Sequence, residues 1–211
     1  MNRQTQYFYI HGAAGQLQCA LDLPDTEKFP EVLGVALVAH PHPLYGGTMQ
    51  HKDATTLARG FVALGYATAR MNFRGIGESA GVFDEGRGET DDMELLLAEM
   101  QQRYPGLPVA LGGFSFGTFV QATMYQRLVQ QGIAIQRMVL AGTAAGKWAM
   151  PEVPKDSIII HGELDEIIPL QAVLDWARPQ DLPVIVVPGA DHFLSSKLHH
   201  IKNYMSNLWN R

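Results

Sequence analysis

The apolar run at residues 107–112 leads directly into Gly113-Phe114-Ser115-Phe116-Gly117, and a helical pattern follows at residues 115–129. A serine between two glycines at a strand-to-helix junction is typical of a sharp turn that exposes the hydroxyl, because glycine lets neighbouring backbone approach closely. A chance Gly/Ser turn in a glycine-rich chain is the alternative. The flanking strand and helix favour the first interpretation, and we predict that Ser115 is a nucleophile.

Short apolar runs recur on both sides of this turn, continuous rather than alternating, as in parallel strands that helices cover on both faces. They span residues 33–39, 66–71, 107–112, 137–141, 157–160 and 184–187. Helical patterns lie between most of them at residues 48–64, 90–103 and 115–129, and an amphipathic pattern follows at 194–208. Residues 7–23 alternate around two glycines and indicate an antiparallel hairpin. The sequence therefore predicts an α/β fold with a mostly parallel central sheet.

Composition narrows the class of protein. With 211 residues, 46% of them hydrophobic and 18% charged, the chain can bury a core, and it shows no linker or repeat, so one domain over residues 1–211 is expected. A net charge of −5 argues against a nucleic-acid-binding protein. The N-terminal residues lack a signal-peptide pattern and no 18-residue apolar run occurs, so we expect a cytoplasmic protein without a membrane partner. A single cysteine, Cys19, agrees with a reducing compartment and is expected in the core.

A serine hydroxyl becomes a good nucleophile when a histidine takes its proton and a carboxylate orients that histidine. In a strand–turn–helix topology the acid and then the histidine follow the serine along the chain. His192 stands just after the last predicted strand and is the predicted base. The other histidines beyond Ser115 fit less well: His199 and His200 lie in the terminal helical pattern, and His161 closes a strand and is expected to brace the next turn.

The candidate acid follows the predicted strand at residues 157–160. Asp165 is preferred because the turn directs it toward the carboxyl end of the sheet; Glu163 is the nearest rival, and Glu166 comes after it. Asp191 adjoins His192, but neighbouring side chains on an extended loop tend to point apart. We therefore predict a loop-bracing role for Asp191.

Four segments carry a resemblance to a known family. They are Gly113–Gly117, His161-Gly162-Glu163-Leu164-Asp165 with Pro169, Gly189-Ala190-Asp191-His192-Phe193, and Asn72-Phe73-Arg74-Gly75-Ile76-Gly77-Glu78-Ser79. In this order and at predicted strand ends, they resemble the motifs of α/β-hydrolase-fold serine hydrolases, from about residue 7 to residue 208. The resemblance implies that fold and a triad of Ser115, Asp165 and His192.

The turn after residues 33–39 is where such a fold builds its oxyanion hole, and it reads His40-Pro41-His42-Pro43-Leu44-Tyr45-Gly46-Gly47-Thr48-Met49. Most relatives have glycine where Pro41 stands; this pattern is similar to a small lidless subgroup resembling dienelactone hydrolases. Because proline has no N–H, the backbone of His42 is the first available donor, with Leu44 as the alternative. The second predicted donor is the backbone N–H of Phe116.

Two glycine-rich stretches imitate cofactor motifs without matching them. Residues 75–81 have one residue too many for a dinucleotide fingerprint and no helix follows, whereas residues 142–147 are one residue short of a phosphate loop. His40 and His42 have no further ligands nearby in the sequence, and His40 is expected as a buried, hydrogen-bonded strand-end residue. We expect neither a cofactor nor a metal.

The predicted reaction is hydrolysis of a carboxylic ester or thioester through an acyl-enzyme on Ser115. Only residues 142–156 separate two strands where many relatives insert a lid, so we expect an open site with walls from Tyr45, Phe114, Phe116 and Trp148. The expected partner is a small ester or an acylated molecule. A peptidase or acylaminoacyl hydrolase is the alternative, although no acidic site for a substrate amine is evident; a catalytically silent binding protein of the same fold is a further one.

Overall fold

Eight β-strands form one sheet in residues 5–209, the part of the chain that the structure, a computed structural model, describes. In chain order the strands are β1 (Gln6–Gly12), β2 (Gly15–Asp22), β3 (Gly34–Ala39), β4 (Tyr66–Met71), β5 (Val109–Phe114), β6 (Arg137–Ala141), β7 (Ile158–Gly162) and β8 (Val184–Val187). Their order across the sheet is β1-β2-β4-β3-β5-β6-β7-β8. The hairpin strands β1 and β2 are antiparallel, β2 is antiparallel to β4, and the remaining neighbours are parallel.

Five α-helices of the same residues cover both faces of this sheet. They are α1 (Lys52–Ala63), α2 (Arg87–Arg103), α3 (Phe116–Gln130), α4 (Leu170–Ala177) and α5 (His199–Leu208). One buried cluster contains the apolar residues of α2, α3 and α4, and a second contains those of α1 and α5. Neighbouring strand residues join different clusters, Leu37 the first and Val38 the second, because successive side chains point to opposite faces. The predicted α/β fold is confirmed.

The strand order reverses at β3, and this reversal positions the candidate site. The chain passes from β3 through α1 to β4 on one side, and through α2 to β5 on the other side of β3. Loops that leave the carboxyl ends of two strands at such a reversal diverge and open a crevice. The turn after β3 and the turn after β5 therefore meet at one crevice.

The first helix begins later than its apolar pattern predicts. Thr48 does not cap it: its hydroxyl accepts a hydrogen bond from the backbone of Gln50 at 3.2 Å, within a turn that precedes the helix. His51 occupies the N-cap position without a side-chain hydrogen bond. The pattern over residues 48–51 thus reflects burial of the loop rather than helix.

The last helix is also shorter than predicted. The amphipathic pattern begins at Leu194, but α5 begins at His199. Leu194 and Ser196 have φ of 48° and 58°, a left-handed backbone that a right-handed helix excludes. The side chain of Asp191 accepts a hydrogen bond from the backbone of Ser195 at 2.7 Å, which holds this loop and leaves the helix to start beyond it.

No helix within residues 5–209 is both long and apolar enough to cross a membrane. Cys19 is buried in the core of the sheet. Residues 1–4, which belong to the N-terminal stretch without a signal-peptide pattern, and residues 210–211 of the expected domain lie outside the described part.

Candidate active site

Ser115 stands at the sharp junction between β5 and α3. Its backbone has φ 52° and ψ −123°, a region that residues other than glycine rarely occupy and that stores strain. The surrounding bonds impose it: the N–H of Ser115 donates to Ala141 at 3.0 Å, and its carbonyl accepts from the backbone N–H of Thr118 at 2.8 Å and from the Thr118 hydroxyl at 2.6 Å. The turn that the sequence predicts is therefore present.

The two glycines of the turn are required by close approaches of backbone. A Cβ at Gly113 would lie 2.5 Å from the carbonyl oxygen of Gly117. A Cβ at Gly117 would lie 2.3 Å from the carbonyl oxygen of Ala39, at the end of β3. Any side chain at either position would push α3 away from the sheet, so the spacing of the motif follows from packing.

Three side chains from three strand ends form one hydrogen-bonded array. The hydroxyl of Ser115 lies 2.9 Å from Nε2 of His192, and Nδ1 of His192 lies 2.7 Å from Oδ2 of Asp165. All three side chains are nearly buried. These residues follow β5, β8 and β7, so the parallel sheet brings them together although 77 residues separate the serine from the histidine.

Asp165 is held in place from two sides. Its Oδ1 accepts from the backbone N–H groups of Ile167 at 2.9 Å and Ile168 at 2.7 Å. Its Oδ2 also lies 3.2 Å from Nε2 of the buried His161. Burial raises the pKa of Asp165, but hydrogen bonds from His161, His192 and the Ile168 backbone outweigh it and hold that pKa well below its usual range. The carboxyl is therefore an anion at neutral pH.

The rival acids have other partners. Glu163 is exposed and accepts a hydrogen bond from the backbone of Gly189 at 2.7 Å. Asp191 accepts from the backbone of Ser195, and Glu166 is exposed. Among the described contacts of His192, Asp165 is the carboxylate partner. The two histidines of α5 lie outside the array, since the ring of His199 contacts that of His200.

His161 braces the turn that carries the acid, as its position at the end of a strand predicts. Its Nε2 lies 2.9 Å from the carbonyl oxygen of Ile168 as well as close to Asp165, so it joins both ends of the turn that carries the acid. The predicted bracing is therefore present, and the contact with the acid itself follows from the return of the turn onto the end of β7.

His40 closes β3 and is fully buried. Its Nδ1 lies 2.6 Å from the carbonyl oxygen of Pro41, and its Nε2 accepts from the backbone N–H of Phe73 at 3.0 Å. Burial lowers the pKa of His40 to about 3, so the ring is neutral, with its proton on Nδ1. No group of three or more His, Cys, Asp or Glu side chains in residues 5–209 is arranged to hold a metal ion.

The two predicted oxyanion donors, the backbone N–H groups of His42 and Phe116, belong to residues that line the cavity. The N–H of Leu44 donates to Nδ1 of its neighbour His42 at 3.3 Å, whereas the N–H of His42 has no acceptor among the described residues. Phe116 is the first residue of α3, where a helix has no internal acceptor for the N–H. Both His42 and Phe116 line the cavity beside Ser115.

The array opens into a cavity of about 480 Å³. Tyr45 stands at its rim, 86% exposed, and Trp148 forms a wall, with its ring centroid 4.9 Å from that of Phe116. Phe114 does not line it, contrary to expectation. Strand alternation turns its buried side chain into the α1–α5 cluster, where its ring centroid lies 5.8 Å from that of His192.

The stretches that imitate cofactor motifs have structural roles. Asn72, at the end of β4, accepts a hydrogen bond through Oδ1 from the backbone of Met49 at 2.8 Å, which ties its loop to the turn after β3. Arg74 in the same loop forms a bidentate ion pair with Asp92 of α2 at 2.7 and 2.8 Å. Within the second stretch and just after it, Ala144, Lys147 and Trp148 line the cavity.

One titratable pair beside the cavity lies outside the sequence-based prediction. His51 lines the cavity, and its Nδ1 lies 3.0 Å from Oδ2 of Asp53, whose side chain is fully buried. Burial raises the pKa of Asp53 to about 7, with Asp191 adding to the rise and Lys52 opposing it. An acid in the first turn of a helix ordinarily stabilises the helix N-terminus at the surface, so the sequence gives no sign of this burial.

Comparison with known proteins assigns this chain to a family. Residues 44–206 match the family model described as serine aminopeptidase, S33. The chain belongs to this family. A Rickettsia prowazekii protein described as uncharacterized is 31% identical over 199 residues, which cover 90% of this chain and 82% of that protein.

Solved structures agree with the family and with the fold. A Xanthomonas campestris protein, described as an α/β serine hydrolase without a lid, superposes with a TM-score of 0.90 at 31% identity, over 100% of this chain and 96% of that one. An α/β serine hydrolase homologue from Coxiella burnetii gives 0.82 at 30% identity, over 96% of each chain. This S33-family chain is therefore an α/β-hydrolase-fold serine hydrolase, and the predicted absence of a lid domain is confirmed.

Proposed function

We propose that this serine hydrolase cleaves carboxylic ester-type bonds through an acyl-enzyme on Ser115. The observation that carries the proposal is the continuous array from Ser115 through His192 to Asp165, with the hydroxyl facing an open cavity. A serine in this array has a base for its proton, and the base has a buried anion to orient it.

The proposed mechanism begins when Oγ of Ser115 attacks the ester carbonyl and Nε2 of His192 accepts the hydroxyl proton. Asp165 stabilises the resulting imidazolium through Nδ1. The backbone N–H groups of His42 and Phe116 stabilise the oxyanion, and the departing alcohol takes the proton from His192. Water, deprotonated by His192, then attacks the acyl carbon. The bond from that carbon to Oγ of Ser115 breaks, His192 returns the proton to Oγ, and the carboxylic acid leaves.

The cavity favours esters over peptides with a free amino terminus. Its lining includes Pro41, His42, Tyr45, Gly47, His51, Ser115, Phe116, Ala144, Lys147, Trp148, Ile167, Ile168, His192 and Phe193. No Asp or Glu stands among these described lining residues, whereas recognition of a peptide ammonium calls for a carboxylate. Lys147 would repel that ammonium.

The test uses p-nitrophenyl esters and a fluorophosphonate label. Ser115→Ala is expected to lose the label and to reduce ester turnover by several orders of magnitude. Asp165→Asn is expected to fold and to reduce turnover about 10⁴-fold, because the imidazole loses its orienting anion. Glu163→Gln is the matched control and is expected to retain activity, since Glu163 contacts the backbone of Gly189 rather than His192.

Three results would contradict the proposal. The first is labelling of Ser115→Ala at another residue, which would place the nucleophile elsewhere. The second is a Glu163→Gln variant that is as impaired as Asp165→Asn. The third is faster turnover of aminoacyl p-nitroanilides than of esters, which would favour the aminopeptidase activity that the family name describes.

A further inference from the structure

The electrostatic character of the cavity differs from that of the whole chain. The chain carries a net charge of −5, with 21 acidic residues against 16 basic ones. None of the acidic residues lines the cavity, and Lys147 is the lysine or arginine that does. Burial lowers the pKa of both His42 and His51, so neither ring adds positive charge at neutral pH. The ammonium of Lys147 is thus the cationic group among the described residues that line the cavity.

The backbone at Lys147 is fixed relative to Ser115. The N–H groups of Lys147 and Trp148 donate to the carbonyl oxygen of Ala144 at 3.3 and 3.1 Å. The N–H of Ala144 donates to the hydroxyl of Thr118, in the first turn of α3, at 2.9 Å. The ring of Trp148 stacks on Phe119 of the same helix at a centroid distance of 5.0 Å. The lysine therefore projects from a segment anchored to the helix that follows the serine.

No carboxylate neutralises this lysine. The ion pairs recorded among residues 5–209 involve arginine and histidine side chains, and none includes Lys147. Lys147 is exposed at the cavity wall, so its ammonium keeps its water and its flexible stem can follow a bound anion. An anionic group in the cavity would meet a cation that is not already paired.

The other described residues that line the cavity provide a surface that fits the apolar part of a ligand. Tyr45, Trp148 and Phe193 supply aromatic surface, and Ile167 and Ile168 supply aliphatic surface. A ligand that complements both features has an apolar acyl or alcohol part and one negative charge. Apolar contact would supply most of the binding, and the single cation would select among ligands of similar shape.

We propose that the preferred substrates of this hydrolase are esters that carry a carboxylate in addition to the scissile bond, and that Lys147 is the specificity-determining residue that recognises this anion. The inference rests on the proposed ester hydrolysis at Ser115. The anion belongs either to the acyl part or to the alcohol part of the ester, and the experiment has one arm for each.

The experiment compares anionic esters with neutral esters of similar size and shape. In the acyl arm, mono-p-nitrophenyl adipate is compared with p-nitrophenyl hexanoate. In the alcohol arm, 4-carboxyphenyl hexanoate is compared with 4-carbamoylphenyl hexanoate. The quantity measured is the ratio of kcat/KM for the anionic ester to kcat/KM for the neutral one, in wild type, Lys147→Gln and Lys147→Glu. The ratio cancels any general effect of a substitution on the reaction.

In the arm whose ester carries the anion on the side that Lys147 recognises, we expect the wild-type ratio to be about fivefold higher than that of Lys147→Gln, because the exposed ammonium attracts the anion. Lys147→Glu should lower the ratio by a further factor of about five, because attraction becomes repulsion. Added salt should reduce the wild-type preference, since it screens exposed charges. Lys28→Glu is the matched control: it changes the net charge equally from the loop between β2 and β3, and its ratio should equal that of wild type.

Equal ratios in wild type, Lys147→Gln and Lys147→Glu in both arms would overturn the inference. A ratio that falls as far in Lys28→Glu as in Lys147→Glu would also overturn it, because the effect would then come from net charge. Failure of the proposed function gives a different result, namely no serine-dependent hydrolysis of the neutral esters by the wild-type protein.

Discussion

At the scale of single residues, Asp53 shows how burial changes a side chain that looks ordinary in the sequence. Neither of its carboxyl oxygens has a hydrogen bond among the described residues, although Oδ2 lies 3.0 Å from Nδ1 of His51. A buried carboxylate without hydrogen bonds is costly when ionised. The rise of its pKa from 3.8 to about 7 expresses that cost.

Because the pKa of Asp53 is higher in the folded state, the folded protein binds this proton more tightly than the unfolded chain does. Its contribution to stability is complete below about pH 4 and is lost as the pH rises to about 7. We predict that Asp53→Asn, which cannot ionise, has a free energy of unfolding similar to that of wild type near pH 4. Above pH 7 it should exceed wild type by up to roughly 4 kcal/mol, as measured by urea denaturation.

Glu31→Gln is the control for this measurement, because Glu31 is an exposed carboxylate and its loss should give no comparable pH-dependent difference. An Asp53→Asn variant that is less stable than wild type at pH 8 would show that the ionised carboxylate stabilises the fold.

The sequence predicts the reacting side chains better than it predicts the contacts that hold them in place. The sequence motif around Ser115 and the strand ends before Asp165 and His192 are visible in the chain, and the structure brings all three together. The sequence indicates that His161 braces the turn after β7 but not that it contacts the acid, and the burial of Asp53 arises only from packing between distant segments. Periodicity carries no information about such contacts.

At the scale of elements, the turn between β3 and α1 is the part of the site where backbone rather than side chain is expected to act. Pro41 and Pro43 flank His42, and the N–H of Leu44 is engaged by the His42 ring. The N–H of His42, which lines the cavity, has no acceptor within the described contacts.

We predict that His42→Ala keeps ester turnover within about tenfold of wild type, because the backbone donor remains. His42→Pro removes that donor and should reduce kcat roughly 100- to 1000-fold, the effect of losing one oxyanion contact. The melting temperature of both variants is measured alongside, since the ring of His42 also packs 4.9 Å from that of Phe116. Equal damage from both changes in folded protein would assign the role to the imidazole.

The bounds of the strands and helices show which of them the local sequence pattern determines and which depend on tertiary contacts. The strands Tyr66–Met71, Arg137–Ala141 and Val184–Val187 match their apolar runs residue for residue. α2 begins three residues before its predicted start, because the buried carboxylate of Glu89 accepts from the backbone N–H of Gly86 at 2.8 Å and closes the first turn. α4, with 8 residues, is too short to give a clear period.

At the scale of the whole molecule, the segment that replaces a lid is tied to the body of the protein. Several contacts besides those near Lys147 hold residues 142–156, and three of them come from side chains of the helical layer. Nε2 of Gln126 donates to the carbonyl of Glu152 at 2.8 Å, Nε1 of Trp176 to that of Pro151 at 3.2 Å, and the N–H of Val153 to Gln180 at 3.1 Å. The cavity is open without any movement of this segment.

We therefore predict no interfacial activation. The rate of tributyrin hydrolysis should rise smoothly with concentration and show no step at the solubility limit, because no segment has to open. A lipase with a lid, assayed in parallel, supplies the positive control. A step of several-fold for this protein would show that residues 142–156 do move at an interface.

The fold as a whole follows from the sequence because the alternation of apolar runs and helical patterns leaves few topologies. The direction of Phe114 shows the limit of that inference. Phe114 is next to the serine in the sequence but does not line the cavity, because the strand that it ends turns its ring to the opposite face of the sheet.

The separation of 77 residues between the serine and its histidine also has a consequence in time. At about 5–20 residues per second, a ribosome completes Ser115 roughly 4 to 15 s before it reaches His192. During that interval the nascent chain holds a hydroxyl without its base, which is a poor nucleophile. β8, which brings the histidine, pairs among the described strands with β7 alone and is the last strand to be synthesised. We therefore expect hydrolytic activity only after β8 has joined the sheet and His192 has reached Ser115. Nascent chains that end before His192 are expected not to hydrolyse esters.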